Sequence, residues 1–443
     1  MIVISRRELM RLLSGGMLAA PLMNAMDPLY TLAQAAGNSG KTLIVVNLEG
    51  GMDHLAAFPY LNDPAASGGG SGFVEQLEIR RPNTFRIPES RYMANSYLGF
   101  NAAWASLYPE FTSNKMALLQ SVGITQGGHP GGSHNFCQNI YSFADRNFDA
   151  TSKAWIADFI DRNSLERTYG FGTGGRVDFT TDRKELSPIV GMRAEDLTYS
   201  DPFAGNRGLL PQAGQQSVNS RFAKLFAEAG PTPSTPQEDL VRRALDNSQA
   251  TMDFMSQVVQ TTVSGIYPTP RLPYWLWTGH TFKSIGRTIR KLEADGDMRP
   301  RLFYAYQGGF DTHGNQSAGL DALLKEVSDS IAALITDLKA CGAYNRTVII
   351  AVSEFARTAW ENGGRGTDHG WGTTLFTVGG AVNGGVHGEP PKLIYMLSNN
   401  ECRALLDFRN LIKEALDWMG LPVRGDDIIP EGTYHRSALG LFN

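Results

Sequence analysis

Asp53, Asp311, His313, Glu354 and His369 are side chains able to bind a cation, and all but His369 lie just past an apolar run of the chain. Asp53 follows "TLIVVNLEGGM", Asp311 and His313 follow "RLFYAYQGGF", and Glu354 directly follows "TVIIAVS". His369 stands beside Asp368 in the glycine-rich "RGTDHGWG", which leads into a further apolar run. Each piece alone is a weak signal. An aspartate after Gly-Gly commonly caps a helix, and a glutamate after a strand is commonly solvated or paired, with Arg357 within reach. The recurrence is what carries information. If these runs are parallel strands of one open sheet, their carboxyl ends share the edge at which such sheets bind ligands. Carboxylates gathered at one edge repel one another unless a cation neutralises them. Carboxylate mixed with imidazole suits zinc, manganese or iron. The expected chemistry is therefore that of a divalent metal site for one or two ions, zinc first, with manganese, calcium or magnesium compatible.

The elements that must position these residues are legible in the apolar pattern. "TLIVVNL" (42–48) is apolar on both faces, the mark of a strand covered by helices on each side. "MALLQSVG" (116–123) and "TLFTVGG" (374–380) read the same way. Between "RLFYAYQ" (301–307) and "TVIIAVS" (347–353), the residues Leu320, Leu323, Leu324, Val327, Ile331, Leu334, Ile335 and Leu338 keep the three-and-four spacing of one helix face. Gly342 stands where a helix-ending glycine belongs. This strand–helix–strand unit requires parallel strands and a crossover of fixed hand. The fold class expected is α/β: a mostly parallel sheet with helices on both faces. "SGGGSG" (67–72) and "PTPSTPQ" (231–237) have loop compositions. Leu240, Leu245, Met252, Met255 and Val258 predict a helix across 237–262, its methionines serving as core.

With 443 residues, 42% of them hydrophobic and 19% charged, the chain suits one large α/β domain or two domains and not a disordered polymer. A formal net charge of −4 argues against a nucleic-acid partner. Cys137, Cys341 and Cys402 form neither a zinc knuckle nor a disulfide framework. The amino terminus, "SRRELMRLLSGGMLAAPLMNAMDPLYTLAQAAG", combines paired arginines, a mildly apolar stretch and the small-residue site Ala33-Gln34-Ala35. That order is the pattern of an export signal, and Ser5-Arg6-Arg7 resembles the twin-arginine type. The expectation is a signal peptide over 1–35, a periplasmic or secreted mature chain, and folding with any cofactor before export. No later stretch offers 18 uninterrupted apolar residues, so no membrane span is expected after signal removal.

The segments "SRRELM", "VVNLEGGMDHL", "GSHNFCQ", "GGFDTHGNQ", "SEFART" and "GTDHGWGTTLFTVGGAVNGGVHG", in this order, resemble the bacterial domain-of-unknown-function family 1501. That family is similar in fold to the alkaline phosphatase and sulfatase superfamily. The resemblance implies one alkaline phosphatase-like domain over 36–443, with a helical, loop-rich insertion around 186–295. It also implies roles. Asp53 matches the aspartate after the first strand that binds one metal, and Asp311 the first residue of an Asp-x-x-x-His ligand pair. Here the imidazole is at His313, and Asn315 occupies the expected position. Glu354 falls where the superfamily has an Asp-His pair, with Phe355 replacing the histidine. His369 matches the late histidine ligand. Ser133 lies in the region of the nucleophile, and His134 beside it could stabilise the leaving group. The implied activity is hydrolysis of phosphate or sulfate esters by a metal-activated serine, acting on a small-molecule ester or an anionic polymer. The alternative is a non-catalytic secreted binding or surface-assembly protein that keeps the fold. A redox metalloprotein finds no haem or iron–sulfur cysteine pattern.

Overall fold

The protein is represented by a computed structural model that describes residues 40–61, 72–85, 92–95, 97–172, 181–182, 189–191, 193–194, 250–251, 253–269, 278–429, 434 and 437–443. The export signal over 1–35 lies outside the described residues, as does most of the stretch 186–295.

Apart from a short pair at Tyr92–Met93 and Gly99–Phe100, the described strands in chain order begin with β1 (Thr42–Leu48), β2 (Met116–Gly123), β3 (Arg167–Phe171), β4 (Ile189–Gly191), β5 (Arg301–Gln307) and β6 (Thr347–Val352). After them come β7 (Arg357–Glu361), β8 (Thr367–His369), β9 (Thr373–Val378), β10 (Gly385–His387) and β11 (Leu406–Asp407). The helices that matter for the site are α1 (His54–Ala57), α2 (Gly72–Arg80), α3 (His134–Phe143), α4 (Trp155–Asn163), α5 (Thr278–Ala294), α6 (Leu320–Ala340) and α7 (Phe408–Met419). Among the described residues, nine strands form one sheet in the order β10-β2-β9-β6-β1-β5-β3-β4, with β11 paired to β2. β1 runs parallel to both β5 and β6, and β3 parallel to β5 and β4. Only β9 runs against its neighbours, β6 and β2. The mostly parallel α/β sheet read from the sequence is the architecture observed.

Successive β1 side chains enter opposite layers, as strand geometry requires. Ile44, Val46 and Leu48 pack with Leu324, Val327, Ile331 and Leu334 of α6 and with Phe282, Ile285 and Ile289 of α5. Leu43 and Val45 pack on the other face with Ile140 of α3, Ile156 and Phe159 of α4, and Leu411 and Leu416 of α7. Burying each such side chain contributes about 1.5–3 kcal/mol, so both faces hold the central strands flat against helices. Gly342, at φ +75°, follows the end of α6 in the left-handed conformation that terminates helices. Within 186–295, the described parts join the main layers: β4 extends the sheet and α5 packs on α6 and β5. Residues 253–260 are helical, and the remainder of the helix expected over 237–262 is only partly described. No helix among the described residues is long and apolar enough to cross a membrane.

β1, β5 and β6 are adjacent and parallel, so their carboxyl ends open on one edge. The antiparallel ladder β7–β8 projects beyond that edge and pairs His369 with Arg357.

Candidate metal centre

Four ligand-type side chains meet at this edge: His134, Asp311, His313 and His369. One nitrogen or oxygen from each lies within 4.8 Å of the corresponding atom of every other. Asp311 Oδ1 is central, 3.3 Å from His134 Nε2, 3.2 Å from His313 Nε2 and 3.3 Å from His369 Nε2. Ligands about 2.0–2.1 Å from a tetrahedral zinc stand roughly 3.3–3.4 Å apart along each tetrahedron edge. The three distances from Asp311 match that edge. His313 Nε2 and His369 Nε2 are closer together, at 2.7 Å.

The far side of each imidazole explains why the Nε2 atoms point inward. His134 Nδ1 donates to Glu354 Oε1 at 2.8 Å, and the same oxygen accepts from Gly50 N–H at 2.9 Å. His313 Nδ1 donates to Asp368 Oδ1 at 3.0 Å. His369 Nδ1 donates to the carbonyl of Gly132. With every Nδ1 proton committed to an acceptor, the neutral rings face Asp311 and one another with Nε2 lone pairs. Three lone pairs and a carboxylate facing one another are repulsive even with the Arg357 guanidinium on Asp311 Oδ1, so the arrangement calls for protons or a cation between them. His134 Nε2 is buried without a hydrogen-bond partner among the described residues. The donor set therefore fits a divalent cation of the zinc type, and Glu354 and Asp368 are the acceptors that orient its imidazoles.

Charges nearby tune these groups. The hydrogen bond to Glu354 raises the pKa of His134 above its ordinary value, against the opposing effect of burial. Burial lowers that of His369, helped by the Arg357 charge. Burial would raise the Asp311 carboxyl, but the Arg357 hydrogen bond and charge prevail and hold it at about 2. Arg357 is fully buried behind the site. It pairs with Asp311, not with the Glu354 that its place in the sequence suggested, and also reaches the carbonyls of Gly51 and Thr367 at 2.9 and 3.0 Å. The turn after β1 can accept this crowding only as glycine. Gly50 has φ +116°, and a Cβ there would stand 2.3 Å from the Asp311 backbone nitrogen.

The structure thus gathers Asp311, His313 and His369 directly, and Glu354 one contact behind them through His134. His134, expected as a leaving-group acid, stands inside the ligand-type group. Asp53 is the departure. Its carboxylate is fully buried, accepts from Arg81 Nη1 at 2.7 Å and Gln316 Nε2 at 2.6 Å, and caps α1 through Ala56 N–H at 3.3 Å. The helix-capping reading of the Gly-Gly-x-Asp turn describes it, and a cation would have to compete with Arg81 for its oxygens. Phe355 fills the space where a further histidine was expected, packing its ring 4.8 Å from His134 and 4.6 Å from His369. Ser133 is exposed at the N-cap of α3, where its Oγ accepts a long 3.4 Å hydrogen bond from Phe136 N–H. It lines an open cleft of about 490 Å³ together with Glu49, Gly50, His134, Asn135 and Asp311. The orienting acceptor Asp368 and the packing arginine Arg357 had only one sequence signal, their proximity to His369 and Glu354.

Fold and site together describe an α/β protein with a His–His–His–Asp cluster at the carboxyl edge of its sheet. Residues 294–424 match the family described as "Protein of unknown function (DUF1501)", so the resemblance read from the motifs holds over this segment. It spans Asp311, His313, Glu354 and His369, whereas Asp53 and His134 precede it. No curated protein matches the chain. Among solved structures, the PsFucS1 sulfatase from Pseudoalteromonas sp. is 11% identical over 90% of this chain and 72% of its own, with a TM-score of 0.35. The zinc complex of the C-terminal periplasmic domain of EcEptC from Escherichia coli is 10% identical over 91% of this chain and 93% of its own, with a TM-score of 0.36. The alkaline phosphatase from the Antarctic bacterium TAB5 is 10% identical over 77% and 91% of the two chains, with a TM-score of 0.30.

Proposed function

We propose that the chain is an exported hydrolase of phosphate or sulfate esters that uses one divalent cation, zinc first, held by His134, Asp311, His313 and His369. The observation that carries this reading is the inward convergence of three Nε2 lone pairs on one carboxylate oxygen, each Nδ1 proton being committed elsewhere. A bound cation would supply Lewis-acid polarisation of an ester oxygen and favour an ionised hydroxyl close by. Ser133 is the attacking group in this reading, since its exposed hydroxyl lines the same cleft as Asp311. The amino-terminal end of the ten-residue α3 lines the cleft with Ser133, His134 and Asn135. A helix N-terminus favours anions, which suits a phosphate or sulfate group. The buried Asp53–Arg81 pair argues for one ion and not two, because it leaves the second expected ligand set incomplete. The paired arginines Arg6 and Arg7 support export to the periplasm or beyond.

A second reading, a secreted binding or surface-assembly protein, is favoured by Phe355 and by the engagement of Asp53. Metal content and turnover separate the two. Purified wild type should hold close to one equivalent of metal and cleave chromogenic phosphate or sulfate esters. Asp311→Ala should lose the metal, whereas Ser133→Ala should keep it and lose several orders of magnitude in hydrolysis. Metal without turnover on a broad ester panel would favour the binding protein, and a chain without metal would refute the cation itself.

A further inference from the structure

Next to the ligands lies a buried polar cluster that supplies no ligand itself. Gln316 is its centre and is buried. Its Oε1 accepts from Thr312 Oγ at 2.8 Å and from Thr367 Oγ at 2.7 Å, and its Nε2 donates to Asp53 Oδ2 at 2.6 Å. Thr312 sits between Asp311 and His313 in the chain, and Thr367 precedes Asp368 and His369. A single amide oxygen therefore ties together the two loops that supply three of the four ligand-type residues.

The backbone agrees with this arrangement. Thr367 N–H donates to Thr312 carbonyl at 3.1 Å, and Gln316 N–H to Arg365 carbonyl at 3.0 Å. Gly366 presses on the same loop so closely that a Cβ there would stand 2.3 Å from the His313 carbonyl carbon. The orientation of the amide is also determined. Asp53 Oδ2 can only accept, so Gln316 must present its NH₂ to Asp53 and its oxygen to the two hydroxyls. Asp53 is in turn neutralised by Arg81, which also donates through Nε and Nη2 to the carbonyls of Ala359 and Thr358, in β7. A chain of hydrogen bonds thus runs from α2 through Asp53 to the ligand loops.

We propose that Gln316 is a positioning residue for the metal centre, with Asp53 setting its amide orientation: it staples the 311–313 loop to the 367–369 strand so that His313 and His369 meet at Asp311. This inference rests on the cation reading above. It assigns Asp53 a part in metal binding through Gln316 and not as a ligand. Without the staple, the loops keep their fold but gain freedom, and a cation must order them on binding. The expected loss is that of an outer-shell partner, about ten- to a hundredfold in metal affinity.

The test compares wild type, Gln316→Met and the shape-preserving pair Thr312→Val/Thr367→Val by zinc titration against a chelator, by the visible absorption of the cobalt(II)-substituted protein, and by thermal melting without metal. The staple predicts a ten- to hundredfold weaker affinity in both variants and a cobalt spectrum displaced from the tetrahedral pattern. Combining the changes should add little further loss, since all act through one amide. The Val pair keeps the test decisive if Gln316→Met fails to fold. Wild-type affinity and spectrum in a folded variant would overturn the staple while leaving the cation reading intact. A cost confined to the metal-free melt would likewise reduce Gln316 to a structural residue. A wild type that binds neither zinc nor cobalt would overturn both.

Discussion

Glu354→Gln isolates one charge at the site with almost no change of shape. Glu354 Oε1 accepts from His134 Nδ1, from Gly50 N–H and from Gln138 Nε2 at 3.2 Å. Oε2 is buried with no hydrogen-bond partner among the described residues. A glutamine must keep its oxygen at the Oε1 position, facing three donors, and place its NH₂ where Oε2 was. What disappears is the negative charge behind His134. A hydrogen bond to a charged group contributes about 1.5–3 kcal/mol. Loss of an outer-shell acceptor lowers metal affinity about ten- to a hundredfold, or roughly 1.4–2.7 kcal/mol. The two figures agree, so the expected loss at pH 8 is in that range. The pH dependence supplies a stricter check. Because the Glu354 hydrogen bond raises the pKa of His134 above 6.5, a proton competes with the metal in the wild type over a wider pH range. The Gln variant relieves that competition, so the ratio of wild-type to variant affinity should shrink as pH falls through the raised pKa. The metal-free protein should show the complementary effect. The raised pKa of His134 gives wild type stability that is fully present below the unfolded value near 6.5 and lost as pH rises through the folded value, so the variant's deficit should be greatest on the acid side. Chelator-competition titrations at several pH values, with urea unfolding of the metal-free forms, measure both. Equal affinities at pH 8, or a ratio that stays constant with pH, would refute the orienting role of Glu354.

Asp53→Ala removes the partner of a guanidinium that is itself fully buried, and breaking a buried pair in this way costs about 3–5 kcal/mol. The urea midpoint of the metal-free protein should fall accordingly, and an unchanged midpoint would mean that Arg81 finds another acceptor. Replacing Arg6 and Arg7 together by lysine should leave full-length precursor in the cytoplasm on cell fractionation, and normal export of that double variant would contradict the twin-arginine assignment.

The strands around the site were legible because their cause is local. Continuous apolar runs predicted β1, β2, β5, β6 and β9 to within two residues, and the βαβ spacing made β5 and β6 parallel. From parallel strands followed the shared edge, and from the edge the meeting of Asp311, His313 and His369. Which further groups complete that meeting could not be read from the chain. Asp53 and His134 both stand at the start of a helix, and nothing in their neighbours distinguishes ligand from cap. The difference arises from distant partners. Arg81, directly after α2, and Gln316 both donate to Asp53 Oδ2, while Glu354 just past β6 turns the ring of His134 so that Nε2 faces Asp311. A carboxylate fully buried between a guanidinium and an amide, as Asp53 is, leaves a cation no approach, whereas the half-exposed Asp311 keeps one beside its pairing with Arg357, and an imidazole is a ligand only when something fixes its other nitrogen. Both conditions depend on side chains 28 to 263 residues away along the chain, and so tertiary packing decided them.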